Sequence, residues 1–273
     1  MYESHWQLDD KPFENTSDPK YYYPSEVHQG ALLKLRYVIE NRRGGALLAG
    51  QSGLGKTLLI QSLVRQLPDE FAPVVNVVFP NMPQDQMLAY LAGELTGDHP
   101  DGPTATVEQS VRRIRAALDE NTKAERHALI VVDEAHLLKD TGTLESLRLL
   151  LNFEIAARPQ LTLILVGQPS LLPVIDRHQG LEERLGVKCL MRPFTVEETV
   201  SYITHRLSTA GATQPIFTQD ALETIHALSR GIPRRINRLS DLALLISYAE
   251  DNHEIRAANV EAVSEELVAV RPE

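Results

Sequence analysis

ALLA at residues 46–49, GQSGLGKT at 50–57 and LLIQSLVRQL at 58–67 follow one another without a break. An apolar run, a glycine-rich turn and a helical pattern in that order decide what kind of fold the chain can have. Gly50, Gly55, Lys56 and Thr57 fit G-x-x-x-x-G-K-[ST] completely, with Gln51, Ser52, Gly53 and Leu54 in the variable places. A strand before the motif and a helix after it are the context that gives it meaning. Backbone N–H groups of such a turn, and of the helix start behind it, can surround phosphate oxygens. Lys56 is placed to reach the β- and γ-phosphates, and the Thr57 hydroxyl to meet Mg²⁺. Residues Gly50 to Leu58 are therefore the expected site for a nucleoside triphosphate.

Working outward, short apolar runs alternate with helical patterns, as in an α/β sheet. The expected strands are 46–50, 74–79, 128–133, 161–167 and a weaker 187–191. Those before residue 170 are rich in Val, Ile and Leu without clean alternation, which suits parallel strands covered on both faces. Between them, 58–67, 84–95 and 107–118 repeat apolar residues at i, i+3 and i+4. GDHPDGPTAT (97–106) reads as a loop.

After Phe194 the pattern becomes helical throughout: 195–211, 218–229, 233–252 and 257–270. Thr195 with Glu198 has capping-box spacing, Thr218 precedes an acidic first turn, and Gly211 and Gly231 stand where helices can stop. The expected organisation is an N-terminal extension (1–30), an α/β core with a five-stranded parallel sheet (31–193) and an all-helical domain (194–273).

LIVVDEAH (129–136) supplies the second half of the chemistry. A strand ending in Asp133 brings a carboxylate to the Mg²⁺ shell, so Thr57 and Asp133 form the expected metal set. Glu134 can polarise a water for in-line attack on the γ-phosphate. Acidic residues at a strand end can simply cap the next helix, but a phosphate loop upstream favours the chemical reading. The pair points to a hydrolase.

The bulk composition narrows the alternatives. The chain has 273 residues, 43% hydrophobic and 23% charged, enough for a buried core. Cys189 is the sole cysteine, so no intramolecular disulfide forms and a reducing compartment fits. MYESHWQLDDKPF lacks a basic region followed by an apolar core, so no signal peptide is expected. The longest apolar runs fall far short of the ~18 residues of a membrane span. A formal net charge of −10 argues against a generally basic nucleic-acid binder, though not against a local basic patch. VRRIRAAL sets Arg112, Arg113 and Arg115 near one helix surface, most simply a solvated face. No zinc spacing or G-x-S-x-G context occurs, and His136 reads as part of the loop after Glu134. A cytoplasmic globular protein is expected.

The order GQSGLGKT, DEAH, LTLILVGQPSLL, GLEERLGVKCLMRPF, GIPRRINRL resembles an AAA+ ATPase, a P-loop NTPase fold with a helical lid. More narrowly it resembles the ExeA/GspA-type ATPases of secretion and surface-assembly loci, which begin much like MYESHWQLDDKPFENTSDPKYYYPSEVHQGAL. A related group is the TniB/TnsC-type transposition regulators. The resemblance implies a sensor-1 place for Gln168, although Asn, Ser or Thr is commoner there. It implies a finger to a neighbouring subunit's γ-phosphate for Arg184, with Arg177 and Arg192 as competitors. It implies a sensor-2 role for Arg234, with Arg235 as the alternative. Asn81 is a candidate restraint on Glu134 or a turn residue, and Tyr21, Tyr22 and Tyr23 line the adenine pocket or pack as an aromatic cluster.

Full ExeA-type proteins carry a membrane segment and a peptidoglycan-binding region after the ATPase, and neither is seen up to Glu273. The implied protein is a cytoplasmic, nucleotide-dependent homo-oligomer acting on a membrane-bound secretion or exopolysaccharide-assembly partner. The rival expectations are a DNA-associated transposition-type ATPase and a nucleotide-dependent scaffold with little turnover.

Overall fold

Three of the strands that lack alternation lie in the middle of the sheet. The run at 74–79, also expected to be covered on both faces, instead forms an edge strand with alternate residues exposed. In the computed structural model every residue of β1 (Gly45–Ala49), β3 (Ala128–Val132) and β6 (Leu161–Gly167) is buried. β2 (Val74–Val77) and β7 (Leu185–Leu190) keep part of their residues exposed and form the edges. The order is β2-β3-β6-β1-β7 and every pairing is parallel. The expected five-stranded parallel sheet is thus present. β2 ends two residues earlier than its apolar run, leaving Val78 and Phe79 exposed.

The structure describes residues 1–15, 19–99, 105–138 and 140–269. They divide into a sheet unit (Val27–Ser52, Leu59–Met191) and a helical unit (Met1–Glu26, Gly53–Leu58, Arg192–Glu273). In the sheet unit, α3 (Gln84–Thr96) buries Met87, Leu88 and Leu91. α4 (Val107–Lys123) buries Ile114 and Leu118, and these join the strand residues in one aliphatic core. Thr106 caps α4 with a reciprocal box to Gln109. The centre of the expected 97–106 loop lies outside the described residues.

Several elements had no place among the sequence expectations, among them α1 (Glu26–Glu40), α5 (Thr141–Leu150) and a hairpin of β4 (Glu154–Ile155) and β5 (Arg158–Pro159). α2 (Lys56–Gln66) carries the phosphate-loop helix. The short α6 (Leu172–Arg177) and α7 (Gln179–Glu182) lead into β7.

The helical unit contains α8 (Val196–Thr209), α9 (Gln219–Ser229), α10 (Pro233–Ala249) and α11 (Ala257–Ala269), each within a few residues of its expected span. Thr195 accepts from the Glu198 N–H while the Glu198 carboxylate accepts from the Thr195 N–H, the full capping box. Gly231 has φ 67°, and a Cβ there would sit 2.2 Å from the Phe194 carbonyl oxygen. No other residue fits that crossing.

The N-terminal segment is part of this unit's core. Tyr2, Trp6, Leu8, Phe13 and Tyr21 are buried with Phe194, Tyr202 and Phe217. Arg206, only 4% exposed, ties the segment down by donating to the carbonyls of Pro12 and Glu14 and to the Tyr202 hydroxyl. Its guanidinium also lies 4.6 Å from the centre of the Tyr21 ring.

Candidate phosphate-binding site

The turn after β1 depends on its glycines. Gly53 and Gly55 have φ 86° and 84°, in the left-handed region where other residues are strained. Gly50 donates its N–H to the Gly167 carbonyl at 3.1 Å, which fixes the start of the loop against β6. Leu54 is buried at 1% exposure and anchors its middle. Lys56 opens α2 and is itself buried, while Thr57 is exposed beside it. A helix that starts at the end of a glycine turn is a place where backbone N–H groups can hold an anion.

Gly53 carries a second constraint. Its carbonyl accepts the Arg234 N–H at 3.2 Å, and a Cβ on Gly53 would stand 2.9 Å from the Arg234 Cβ. Pro233 at the first position of α10 leaves the chain free to approach in this way. Arg234 is thus brought to the phosphate loop, across a sequence gap that no local pattern could announce. Arg235 lines a groove of the helical unit instead.

Parallel register brings the remaining groups to one edge of the sheet. Ala49 pairs with Gly167, and Val132 pairs with Leu165, so Gly50, Gln168 and Asp133 all follow strand ends at the carboxyl edge. β6 lies between β3 and β1, which puts Gln168 beside the Asp133 strand as the resemblance implied. Gln168 is half-buried, and its carbonyl accepts from the Leu171 N–H at 2.9 Å.

Asp133 is 8% exposed, donates its N–H to the Val77 carbonyl at 2.9 Å, and accepts the Glu134 N–H on Oδ1 at 2.8 Å. Glu134 adopts φ 49°, ψ 34°, a left-handed conformation that costs a non-glycine residue roughly 1–2 kcal/mol. Backbone outliers of this kind cluster at functional sites. The Glu134 side chain is 45% exposed.

His136, dismissed as loop by its sequence context, lies with Nδ1 3.2 Å from Glu134 Oε2. Nδ1 is buried with no aligned hydrogen bond, and a Cβ on Gly167 would meet the His136 N at 3.2 Å. The only sequence signal for this placement is the i+2 spacing from Glu134.

The comparisons with known proteins bear on this arrangement. Residues 39–175 match the AAA domain family. The chain belongs to that family. The AAA protein is 35% identical over 276 aligned residues to General secretion pathway protein A of Aeromonas hydrophila, covering all of this chain and 50% of that one. It therefore spans about half the length of that relative. Among solved structures, Cdc6p of Pyrobaculum aerophilum superposes with a TM-score of 0.71 at 16% identity, covering 97% of this chain and 75% of that one. The Aeropyrum pernix ORC2 protein, solved in ADPNP–ADP complexes, gives 0.69 at 17%, covering 94% and 72%. The Thermotoga maritima RuvB branch migration motor gives 0.59 at 21%, covering 91% and 73%. These likenesses establish the AAA+ P-loop NTPase fold, with its parallel sheet and C-terminal helices.

Arg184 of this AAA protein stands at the other edge of the sheet. Its carbonyl accepts the Gly45 N–H at 3.1 Å, and Leu185 pairs with Gly45. The length of β1, about 16 Å at 3.3 Å per residue, separates it from the loop that leaves at Gly50. Arg184 is thus placed at the end of the sheet opposite that loop. It lies 3.7 Å from Glu154 Oε1, with the two side chains 42% and 40% exposed. Of its competitors, Arg177 donates to the Pro173 carbonyl of its own helix at 3.0 Å. Arg192 is engaged by Glu198 at 2.6 Å, a hydrogen bond that raises its guanidinium pKa.

The tyrosine run is placed by packing. Tyr21 donates to Asp10 at 3.1 Å, and Tyr23 lies edge-on to Phe194 and Tyr202 at 5.9 and 5.7 Å. Burial raises the Tyr22 phenol pKa. Asn81 is exposed, in the segment after β2.

Proposed function

We propose that this AAA protein binds and hydrolyses ATP with Mg²⁺, as a cytoplasmic homo-oligomer that drives assembly or remodelling of a secretion or cell-surface partner. One observation carries the oligomeric part of the reading: Arg184 sits a strand's length from its own phosphate loop, on an exposed edge. The similarity to General secretion pathway protein A along the whole chain supports the choice of partner class. Among the described residues no helix is long and apolar enough to cross a membrane.

The residues fit the substrate. Gly53 and Gly55 leave a loop free of side chains where a Cβ would be strained, and the buried Lys56 brings a cation to the helix start. Gly50 to Leu58 wrap the phosphates, with Gln51, Ser52 and Leu54 contributing backbone. Thr57 and Asp133 offer the hard oxygen ligands Mg²⁺ prefers. Bound there, the ion neutralises charge on the phosphate oxygens. Glu134 takes a proton from the attacking water, Gln168 orients that water, and Arg234 holds a phosphate oxygen. Arg184 of a neighbouring chain supplies the last positive charge.

The test is Mg²⁺-ATP turnover per chain as protein concentration is raised, with and without duplex DNA. Turnover is expected to climb with concentration and to ignore DNA. A rate independent of concentration would overturn the trans arginine. A rate that stays low until DNA is added would shift the partner to nucleic acid, and ATP binding with negligible turnover would mark a scaffold.

A further inference from the structure

α10 meets the phosphate loop on one face and leaves another open. Arg234, in its first turn, crosses Gly53. The next residue, Arg235, faces a groove of about 840 Å³ bounded by α10, α11 and the end of α9. Arg230, Arg235 and Arg238 line one part of the groove, and Leu242 and Leu245 on α10 line another. All three arginines are exposed, as is Leu245 at 36%.

The three arginines gather on one groove without a counter-charge. Among the described residues none of the three makes an ion pair, whereas Arg112, Arg113, Arg148, Arg192 and Arg256 each do. Glu266 also borders the groove without pairing with them. Against a net charge of −10, three uncompensated cations beside an apolar strip form a bipolar surface. Residues 235, 238, 242 and 245 fall at helical spacing along about 15 Å of α10, enough to lie along three turns of a second helix.

We propose that this groove docks an acidic amphipathic helix of a partner protein. Its apolar stripe would lie on Leu242 and Leu245 and its carboxylates on Arg230, Arg235 and Arg238. The apolar strip favours a peptide over a nucleic-acid backbone, whose phosphates gain nothing from leucine. Because α10 also holds Arg234 against Gly53, docking would bias nucleotide binding; that consequence alone rests on the ATPase reading.

The test uses the full chain without nucleotide and a fluorescent synthetic helix with leucines at every third or fourth position and glutamates at one end. Saturable binding that weakens with salt is expected. Arg238→Glu and Leu245→Asp, each checked for native circular dichroism, should each weaken it roughly tenfold. A shuffled peptide of the same composition should not bind. Equal binding of the shuffled peptide, or indifference to Leu245→Asp, would overturn the proposal. Overturning it equally would be duplex DNA binding that needs Arg238 but not Leu245, or a dimer that Leu245→Asp dissolves while the peptide never binds. If the peptide binds and ATP affinity is unmoved, docking stands and the coupling to nucleotide falls.

Discussion

The two edges of the parallel sheet are built differently. At the carboxyl edge, strand register places Gly50, Gln168 and Asp133, and backbone bonds to Gly167 and Val77 hold two of them. Glu134 follows on a left-handed backbone, with its side chain 45% exposed. At the amino edge, Arg184 shares one long contact with Glu154, half in solvent. Groups that act within their own chain gain from being fixed before substrate arrives. On the proposed reading Arg184 acts on a neighbouring chain, and a loose hold leaves it free to do so.

The largest predicted effect tests this contrast directly. Arg184→Ala should lower turnover by about 10³-fold, the low end for a trans arginine, while leaving ATP affinity unchanged. Glu134→Gln should reduce turnover by roughly 10²–10⁴-fold, also with binding retained. The two variants separate when mixed. Arg184→Ala chains supply an intact carboxyl edge and Glu134→Gln chains an intact amino edge, so the mixture should recover activity that neither has alone. Absence of recovery at every ratio would place both groups in the same chain's site and erase the distinction between the edges.

Much of the carboxyl edge was legible because it is local. A glycine motif between a strand and a helix, and a carboxylate at a strand end, carry their meaning in neighbouring residues, and the 161–167 strand was read to the residue. The amino edge is not local. The β4–β5 hairpin turns at Ala156 and Ala157 with φ 51° and 61°, where Asn or Gly would have flagged the positive angles. Arg184 and Glu154 meet only through the fold, as do Gly53 and Arg234. α1 begins inside the segment that reads as an N-terminal extension, although Ala31, Leu35, Val38 and Ile39 form an ordinary buried face. His136 has only its i+2 spacing from Glu134 to mark it, too weak a signal to single out a loop histidine.

Arg206 in the helical unit shows what a fixed arginine looks like. Buried at 4% exposure and donating to two N-terminal carbonyls and a hydroxyl, it has no freedom comparable to Arg184. Arg206→Ala leaves those acceptors unsatisfied and should cost about 3 kcal/mol in chemical denaturation. Arg184→Ala, measured the same way, should leave the midpoint unmoved.

The amino edge also has one rigid point. His127, just before β3, is 1% exposed, with Nε2 2.8 Å from Thr162 Oγ1. Burial, helped by the nearby Arg42 cation, pushes its pKa down to about 4. A folded-state pKa below the unfolded value near 6.5 means the unfolded chain binds the proton more readily. Stability from this group is therefore complete above pH ~6.5 and lost as pH falls toward 4, amounting to about 2 kcal/mol by pH ~5. Urea midpoints of wild type and His127→Gln should converge across that window. Parallel curves would show that the amino edge lacks even this anchor.

The smallest effect decides whether Arg184 is merely loose or is restrained. At 3.7 Å, with both side chains about two-fifths exposed, the Arg184–Glu154 pair is of the kind that contributes little. Glu154→Gln removes the attraction and keeps the shape of the side chain. If Arg184 is free to leave, the unfolding midpoint should not move, and turnover per chain should rise by no more than about fivefold, the ceiling for an exposed pair. A rise beyond tenfold would mean that Glu154 holds the arginine back until a neighbour displaces it. The amino edge would then be as fixed as the carboxyl edge, and the contrast would lie in what releases each group rather than in how tightly it is held.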